Sequence, residues 1–285
     1  MAILVSGRDL AKQKKLKMKE EVSTFLSKYK RLPHLAVILV GEDPGSVSYV
    51  TGKEKACLEI GILNTTIKKP DNIKEEELLD LIDILNHDDT VDGILVQLPL
   101  PKHIHSDKVI QSIKKDKDVD GFHFENVASI YLKQPGIVSC TPKGIIELLD
   151  SINYPIEGKQ ACVIGRSNIV GMPVSKLLLN RNATVTICHS KTKDLARITS
   201  QADILVAAIG RPKFVTADMV KDGAVVIDVG VNRDSLTNKL CGDVDFDMVK
   251  EKASYITKVP GGVGPMTICC LMENTIECFL KHVKE

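Results

Sequence analysis

Short apolar runs, rich in β-branched residues, alternate with segments of helical periodicity along most of this chain. Examples are HLAVILVG at 34–41, GILVQLPL at 93–100 and AVVIDVG at 224–230. Runs of this length and composition suit strands that are buried on both faces, as in a parallel sheet. Strands that alternate with helices are joined by right-handed crossovers, so the pattern predicts an α/β fold built on parallel sheets.

The length of the chain, 285 residues, is large for one hydrophobic core and favours two domains. We expect a first domain over residues 1–139 and a Rossmann-like, doubly wound nucleotide-binding domain over residues 140–264. The final helical segment, 265–285, is not followed by a strand. We expect it to return to the first domain and complete it.

Individual elements follow from the same periodicities. Strands are predicted at 34–41, 63–69, 93–100, 160–165, 184–189, 203–210 and 224–230, and helices at 7–29, 74–86, 106–114, 140–153 and 265–283. Thr141 is placed to cap the helix at 140–153, with Pro142 in its first turn. The proline-rich end of the run at 93–100 predicts a cis Leu98–Pro99 bond.

Charge and composition favour a cytoplasmic protein that acts on small molecules. Lys and Arg number 38 and Asp and Glu 37, a net charge of +1, which gives no reason to expect a nucleic acid or an anionic membrane as partner. The apolar runs are too short to span a bilayer, and the first residues lack the apolar core of a signal peptide. The eight cysteines form no C-x-x-C pair and sit mostly in apolar runs, as expected for reduced thiols.

The stretch PGSVSYVTGKEKA, residues 44–56, places Tyr49 and Lys53 four residues apart, soon after an apolar run. This spacing puts the phenol and the amine on one face of a helix, one turn apart. Two interpretations are open from the stretch alone. One is a solvated helix face with an amphipathic tyrosine, and the other is a catalytic pair.

A second motif, VIGRSNIVGMP at 163–173, follows a predicted strand and opens a helix. Gly165 permits a tight turn and Gly171 close packing of helix on strand, while the start of the helix favours a phosphate. Ser167 stands where a dinucleotide fingerprint normally has its middle glycine. An ordinary strand–helix turn therefore stays open as an alternative on this motif alone.

The end of the next predicted strand, CHSK at 188–191, has no acidic residue to bind the ribose 2′-hydroxyl of NAD. Arg166 and Ser190 are instead suited to a 2′-phosphate, the arginine through charge-assisted hydrogen bonds. The sequence therefore favours NADP. We expect His189 to line the site or stack on a ligand rather than to carry a proton.

Polar residues also follow the third predicted strand of the first domain. Gln97 lies at a carboxyl strand end, where ligands bind in α/β sheets, although strand-end packing explains it equally well. Asp118 and Asp120 occupy a polar turn, and carboxylates in turns are commonly just solvated. The segment KVPGGVGPMT at 258–267 is rich in glycine, which lets a backbone approach a flat ligand closely.

His103 and His105 form an H-x-H pair of the kind that binds metal ions. The sequence places no convincing third ligand near them. We therefore expect a solvated loop and no metal site.

Taken together, six motifs in order resemble the bifunctional methylenetetrahydrofolate dehydrogenase/methenyltetrahydrofolate cyclohydrolase family. They are GSVSYVTGKEKA, GILVQLPLP, KDVDGFH, CTPKG, GRSNIVGMP and PGGVGPMT, and the similarity covers essentially the whole chain. The resemblance implies NADP-dependent oxidation of 5,10-methylene- to 5,10-methenyl-tetrahydrofolate, then hydrolysis to the 10-formyl compound in one cleft between two domains. It also implies a role in one-carbon metabolism, the stand-alone bacterial type and a homodimer formed through the nucleotide-binding domain.

The resemblance further assigns site residues. It implies that Lys53 is the catalytic lysine, acting as general acid or base, and that Gln97 orients it by a hydrogen bond. Tyr49 would lie against the folate, and Asp120 would bind the pterin. The remaining implied substrate contacts are Val96, Leu98, Pro260, Gly261, Gly262, Val263 and Gly264. The implied cofactor contacts are Gly165, Arg166, Ser167, Ser190 and Val231, where the family often has isoleucine at the last position.

Three other interpretations compete with this one. Short-chain dehydrogenases also use Tyr-x-x-x-Lys, but after their glycine loop, whereas Tyr49 and Lys53 lie far ahead of the loop and in another domain. A folate- or nucleotide-binding protein without turnover predicts damage at Lys53 or Gln97, and both residues are intact. A monofunctional member of the family is not distinguished by sequence.

Overall fold

The secondary structure of the computed structural model covers residues 1–234 and 237–284. Its strands are β1 (Ile3–Val5), β2 (His34–Val40), β3 (Leu63–Lys69), β4 (Gly93–Val96), β5 (Gln160–Ile164), β6 (Thr184–Cys188), β7 (Ile204–Ala207), β8 (Val225–Asp228), β9 (Asn232–Arg233), β10 (Leu240–Cys241) and β11 (Tyr255–Thr257). Its α-helices are α1 (Gly7–Ser23), α2 (Phe25–Tyr29), α3 (Pro44–Ile60), α4 (Glu75–Asn86), α5 (Ser106–Ser112), α6 (Phe124–Leu132), α7 (Cys140–Ser151), α8 (Gly171–Asn180), α9 (Leu195–Thr199), α10 (Phe246–Val249) and α11 (Val263–His282). A short 3-10 helix covers Ala217–Met219.

The chain divides into two compact units, which confirms the prediction of a two-domain α/β protein. We call them the lysine unit, after Lys53, and the glycine-loop unit, after Gly165. The lysine unit comprises residues 13–140 and 268–285, and the glycine-loop unit residues 1–12 and 141–267. The first twelve residues thus differ from the expected division, because β1 pairs with β11 in the glycine-loop unit.

The lysine unit is built on a parallel sheet in the order β3–β2–β4. The central strand is apolar after His34, and its residues Leu35 to Ile38 are fully buried. One side of the sheet packs against Leu78 and Ile82 of α4. β4 ends at Val96, earlier than the predicted 93–100, because the prolines that follow cannot donate to a strand ladder.

The glycine-loop unit contains a six-stranded parallel sheet in the order β1–β11–β8–β7–β5–β6. β5 has β6 on one side and β7 on the other, so the strand order reverses at this point. In open α/β sheets, ligands bind at the carboxyl edge beside such a reversal. β9 and β10 form a separate antiparallel pair.

Several helices depart from the sequence prediction. The helix expected over 7–29 is interrupted at Thr24, and α2 ends at Tyr29, after which Lys30 has a left-handed φ of 63°. α7 begins at Cys140, so Thr141 lies within the first turn instead of capping it, and its hydroxyl lies 3.0 Å from that of Thr267. α6 was not predicted.

No helix within the described ranges is both long and apolar enough to cross a lipid bilayer.

A buried ion pair supports the amino end of β4 in the lysine unit. The Arg31 guanidinium donates two hydrogen bonds, each 2.8 Å long, to the fully buried carboxylate of Asp92. The same carboxylate accepts the backbone N–H of His34 at 2.9 Å and lies 3.1 Å from Nδ1 of His282. Arg31 also lies over the ring of Phe279, so it links the sheet to α11.

Arg31→Ala is expected to lower the free energy of unfolding by about 3 kcal/mol, because it removes the main counter-charge of a buried carboxylate. Arg181→Ala is a matched control, since Arg181 also donates two hydrogen bonds to an aspartate, Asp150, but both side chains are 46% exposed. That control should cost about 0–1 kcal/mol. Urea denaturation of both variants makes the comparison, and equal losses would show that burial of Asp92 does not set the effect.

Candidate functional site

Lys53 is positioned by α3, which follows the carboxyl end of β2. The helix begins at Pro44 because Asp43 caps it, its carboxylate accepting the N–H of Ser46 at 2.8 Å. Tyr49 and Lys53 lie one turn apart on this helix, as their spacing predicted. Lys53 is only 6% exposed, whereas Tyr49 is half-buried. Burial raises the pKa of Tyr49, so the phenol stays protonated near neutral pH.

The amine of Lys53 donates a hydrogen bond of 2.9 Å to Oε1 of Gln97. Gln97 is itself fixed in two places, since its side-chain amide donates to the carbonyl of Leu98 at 2.6 Å and its backbone N–H to that of Ile38 at 2.9 Å. These contacts determine which end of the glutamine amide faces the lysine. Gln97 therefore holds the Lys53 amine in one direction. It does more than pack at the strand end, which was the alternative interpretation.

Burial lowers the pKa of Lys53, and the negative charge of Asp120 opposes that shift without reversing it. Among the described residues, Lys53 forms no ion pair within 4.0 Å. A buried amine held by a neutral amide gives up its proton more readily than a solvated lysine does. The arrangement suits a group that accepts and returns a proton.

The two aspartates of the predicted turn are in different environments. Asp118 is buried and accepts hydrogen bonds from the N–H of Gly121, the N–H of His123 and the side chain of Asn126, so it holds the turn together. Asp120 keeps part of its surface exposed. Burial raises the pKa of Asp120 to about 6, and the charge of Lys53 partly offsets this. Of the two, only Asp120 is partly accessible from outside the protein.

Two residues near Asp120 were missed by the sequence analysis. Cys140 donates to the carbonyl of Val119 at 3.3 Å, and its side chain also hydrogen-bonds Asp120. Asn274 donates to the carbonyls of Val119 and Val138, both at 2.9 Å, although it is fully buried on α11. A single asparagine in a strongly apolar helix was the available signal, since buried amides need hydrogen-bond partners.

The two predicted substrate contacts next to Gln97, Val96 and Leu98, differ in how far their side chains are exposed. Val96 is 4% exposed and packs in the core of the lysine unit, so its side chain does not reach a ligand. Leu98 is half-buried. The Leu98–Pro99 bond is cis, which confirms the prediction made from the proline-rich turn.

His103 and His105 are engaged in local contacts. A ring N–H of His103 donates to the carbonyl of Ile73 at 2.9 Å. His105 and Lys108 both contact the carboxylate of Glu75, at 2.8 Å. These contacts make the pair part of a surface network.

The predicted cofactor residues lie in the glycine-loop unit, at the carboxyl edge of its sheet. Gly165 has a φ of 131°, and a Cβ there would overlap the carbonyl oxygen of Ala208, so the position requires glycine. Its N–H donates to the carbonyl of Cys188 at 2.9 Å, which joins the ends of β5 and β6. This places the exposed Arg166 and Ser190 at one edge.

Ser167, which stands at the position of the usual middle glycine of the fingerprint, uses its side chain to bind the backbone. Its hydroxyl oxygen lies 3.2 Å from the N–H of Val170 and 3.3 Å from that of Gly171, and it accepts both near the start of α8. His189 organises the neighbouring turn, since its ring accepts the N–H of Lys191 at 3.2 Å. The turn that carries Ser190 is therefore held by its own residues.

The remaining predicted contacts, Val231 and the segment 260–264, also belong to the glycine-loop unit. Val231 is 48% exposed beyond the end of β8. The carbonyl of Gly261 accepts the N–H of Arg8 at 3.0 Å, so the first turn of α1 holds this segment in place. A second cis bond, Val259–Pro260, was not predicted. The predicted site residues thus form two groups, one in each unit.

Two family models match this chain. The catalytic domain of tetrahydrofolate dehydrogenase/cyclohydrolase matches residues 5–120, and the NAD(P)-binding domain of the same family matches residues 139–283. A curated relative, the bifunctional protein FolD of Bacillus anthracis, is 57% identical over 277 residues, which are 97% of this chain and 96% of the relative.

Solved structures agree with the family models. The bifunctional enzyme FolD from Campylobacter jejuni, a methylenetetrahydrofolate dehydrogenase/cyclohydrolase, is 49% identical with a TM-score of 0.96 and covers 99% of both chains. The Trypanosoma brucei methylenetetrahydrofolate dehydrogenase-cyclohydrolase, solved with NADP cofactor and inhibitor, is 39% identical with a TM-score of 0.96. It covers 100% of this chain and 99% of its own.

Proposed function

This chain belongs to the tetrahydrofolate dehydrogenase/cyclohydrolase family, and we propose from that premise how its residues carry out the two reactions. The protein oxidises 5,10-methylenetetrahydrofolate to 5,10-methenyltetrahydrofolate with NADP and hydrolyses the product to 10-formyltetrahydrofolate. The observation that carries the proposal is the buried amine of Lys53, hydrogen-bonded to Gln97 in the unit that also contains Asp120.

Asp120 and Tyr49 hold the folate in this proposal. The pterin ring has an N–H and an amino group side by side, and a carboxylate accepts such a parallel pair of donors well. Asp120 has the partly exposed carboxylate for this contact. Tyr49 offers a flat, half-buried ring on which a heterocycle can stack.

Lys53 carries the proton in hydrolysis. The bound methenyl group is a cation, so it disfavours the ammonium form of Lys53 in addition to the effect of burial. As water adds to the methenyl carbon, its oxygen forms the new C–O bond and one of its protons passes to the amine. The resulting ammonium then gives that proton to the pterin nitrogen N5 as the bond between N5 and this carbon breaks, and the hydroxyl loses its proton to solvent as the formyl C=O forms. Gln97 keeps the amine aimed at this carbon.

The glycine-loop unit fits NADP. The turn at Gly165 leads to the start of α8, which favours a phosphate, and Arg166 and Ser190 are exposed at the same edge to hold a 2′-phosphate. Bound NADP accepts the hydride that leaves the methylene carbon. Val231 supplies an apolar contact beside it.

Arg166→Ala is expected to raise the KM for NADP by about ten-fold or more and to change the KM for NAD much less, because a charge-assisted contact to a phosphate contributes about 1.5–3 kcal/mol. Steady-state kinetics with each cofactor measures the split. Arg197→Ala, at another exposed arginine of the same unit, should leave both values unchanged. Equal effects of Arg166→Ala on NADP and NAD would remove Arg166 from the phosphate site.

We further propose that the protein is a cytoplasmic homodimer that associates through the glycine-loop unit. Its eight cysteines, all within the described ranges, form no disulfide, and seven of them are buried, which supports a reducing compartment. Analytical ultracentrifugation of the purified protein tests the dimer.

Two absorbance assays on the purified protein test the activity itself. Methylenetetrahydrofolate with NADP should give NADPH, and methenyltetrahydrofolate without any cofactor should be hydrolysed. Hydrolysis without oxidation, or the reverse, would indicate a monofunctional member of the family. Ligand binding with neither reaction would indicate a binding protein.

A further inference from the structure

Two buried carboxylates of the glycine-loop unit have no part in the function proposed above. Asp228 ends β8 and is 3% exposed, and Asp243 follows β10 and is fully buried. Burying a carboxylate is costly unless hydrogen bonds compensate for the lost solvent. The hydrogen bonds that the two carboxylates accept therefore show which backbone segments they hold in place.

Asp243 accepts four hydrogen bonds, three of them from consecutive backbone N–H groups. One carboxylate oxygen accepts from Ile209 at 2.7 Å and from Gly210 at 3.0 Å. The other accepts from Arg211 at 2.9 Å and from the side chain of Asn232 at 2.8 Å. A single side chain thus holds the segment after β7 and the residue next to Val231.

Asp228 holds Asp243 in turn. Its carboxylate accepts the N–H of Asp243 at 2.9 Å, of Val244 at 3.0 Å and of Gly230 at 3.0 Å. A Cβ at Gly230 would overlap the carboxylate of Asp243, and one at Gly242 would overlap that of Asp228. The two carboxylates and the backbone around them are therefore closely fitted to each other.

The segment held by Asp243 lies at the predicted cofactor edge. It continues from Ala208, whose carbonyl is in close contact with Gly165. β7 and β5 are neighbours at the reversal of strand order, so the segment 208–211 borders the crevice opposite Arg166.

The direction of the N–H groups determines where the carbonyls of this segment point. In a trans peptide, the C=O of one residue and the N–H of the next point in opposite directions. Since the N–H groups of Gly210 and Arg211 face Asp243, the carbonyls of Ile209 and Gly210 face away from it. In the part of the chain that the structure describes, no hydrogen-bond donor reaches either oxygen.

We propose that Asp243, supported by Asp228, is a positioning residue for the cofactor. It fixes the segment 208–211 and Asn232. The outward carbonyls of Ile209 and Gly210 then accept hydrogen bonds from the carboxamide or the ribose hydroxyls of bound NADP. The inference rests on the function proposed above, in which this edge binds NADP. The two carbonyls would bind hydrogen-bond donors of the cofactor, in addition to the phosphate contacts at Arg166 and Ser190.

Asp243→Asn tests the proposal, because the amide keeps the shape but turns one acceptor oxygen into a donor. At either orientation two of the four donors lose their acceptor. The Kd for NADP, measured by titration calorimetry, should rise by about ten-fold or more. Asp245→Asn, two residues along, removes the same charge from a half-exposed side chain and should bind NADP like the wild type.

Hydrolysis of methenyltetrahydrofolate without cofactor separates a positioning role from general destabilisation. Asp243→Asn should retain this activity, since it does not require NADP. Equal losses of NADP binding and hydrolysis would overturn the proposal, as would unchanged NADP binding. Failure of the wild type to bind NADP would instead overturn the proposed function itself.

Asn232→Ala covers the case in which Asp243→Asn does not fold. It removes one donor to Asp243 and leaves the carboxylate in place. The KM for NADP should rise with little change in kcat and with hydrolysis unchanged. A KM for NADP equal to that of the wild type would contradict the proposed role.

Discussion

Replacing Lys53 by methionine is expected to abolish hydrolysis of methenyltetrahydrofolate. The rate of hydrolysis should fall by about 10²–10⁴-fold, which is the contribution typical of a positioned acid–base group. Methionine keeps most of the length of the side chain but cannot accept or donate the proton. The dehydrogenase reaction needs mainly positioning of the folate. Any surviving oxidation should therefore release methenyltetrahydrofolate, which accumulates and is followed by its absorbance.

Lys55→Met provides the matched control for this experiment. Lys55 lies on the same helix two residues later, but its side chain is exposed. The control should hydrolyse methenyltetrahydrofolate like the wild type. A Lys53→Met enzyme that hydrolyses at nearly the wild-type rate would show that α3 does not carry the catalytic group.

Asp120→Asn is expected to lower both activities together, by about 10–100-fold in kcat/KM, as for loss of a charge-assisted hydrogen bond. The amide has the shape of the carboxylate but directs a donor at the donors of the pterin. Both reactions need the folate in place, so both should fall. The KM for the folate should rise in both assays.

Asp107→Asn is the control for this change, at an exposed aspartate of the first turn of α5. It should leave both activities unchanged. Loss of hydrolysis alone in Asp120→Asn would make Asp120 a proton-transfer group instead of a binding group.

The parts of the fold that were predictable are those with a strong local pattern. β2 and β3 were predicted to within one residue, because their apolar or β-branched runs are bounded by turns. β1 and β11 were missed because each has only three residues, and its pairing comes from distant parts of the chain. Strands of that length carry too little periodicity to be recognised locally.

The candidate site shows the same contrast. Tyr49 and Lys53 were found from their helical spacing, and Gln97 from its place after a strand. Cys140 and Asn274 were missed, because their proximity arises from the packing of α11, more than a hundred residues further along the chain. Asp243 was missed for a different reason, since a buried carboxylate has no local signature apart from its partners.

The role of Lys53 depends on an amine that can release its proton near neutral pH, and an NMR titration of its side chain measures this most directly. With lysine labelled at ¹³Cε, the Lys53 signal is assigned by its absence in Lys53→Met. Burial should place the titration midpoint clearly below the ordinary lysine value of 10.5. A midpoint at or above 10.5 would contradict the assignment of Lys53 as the proton carrier.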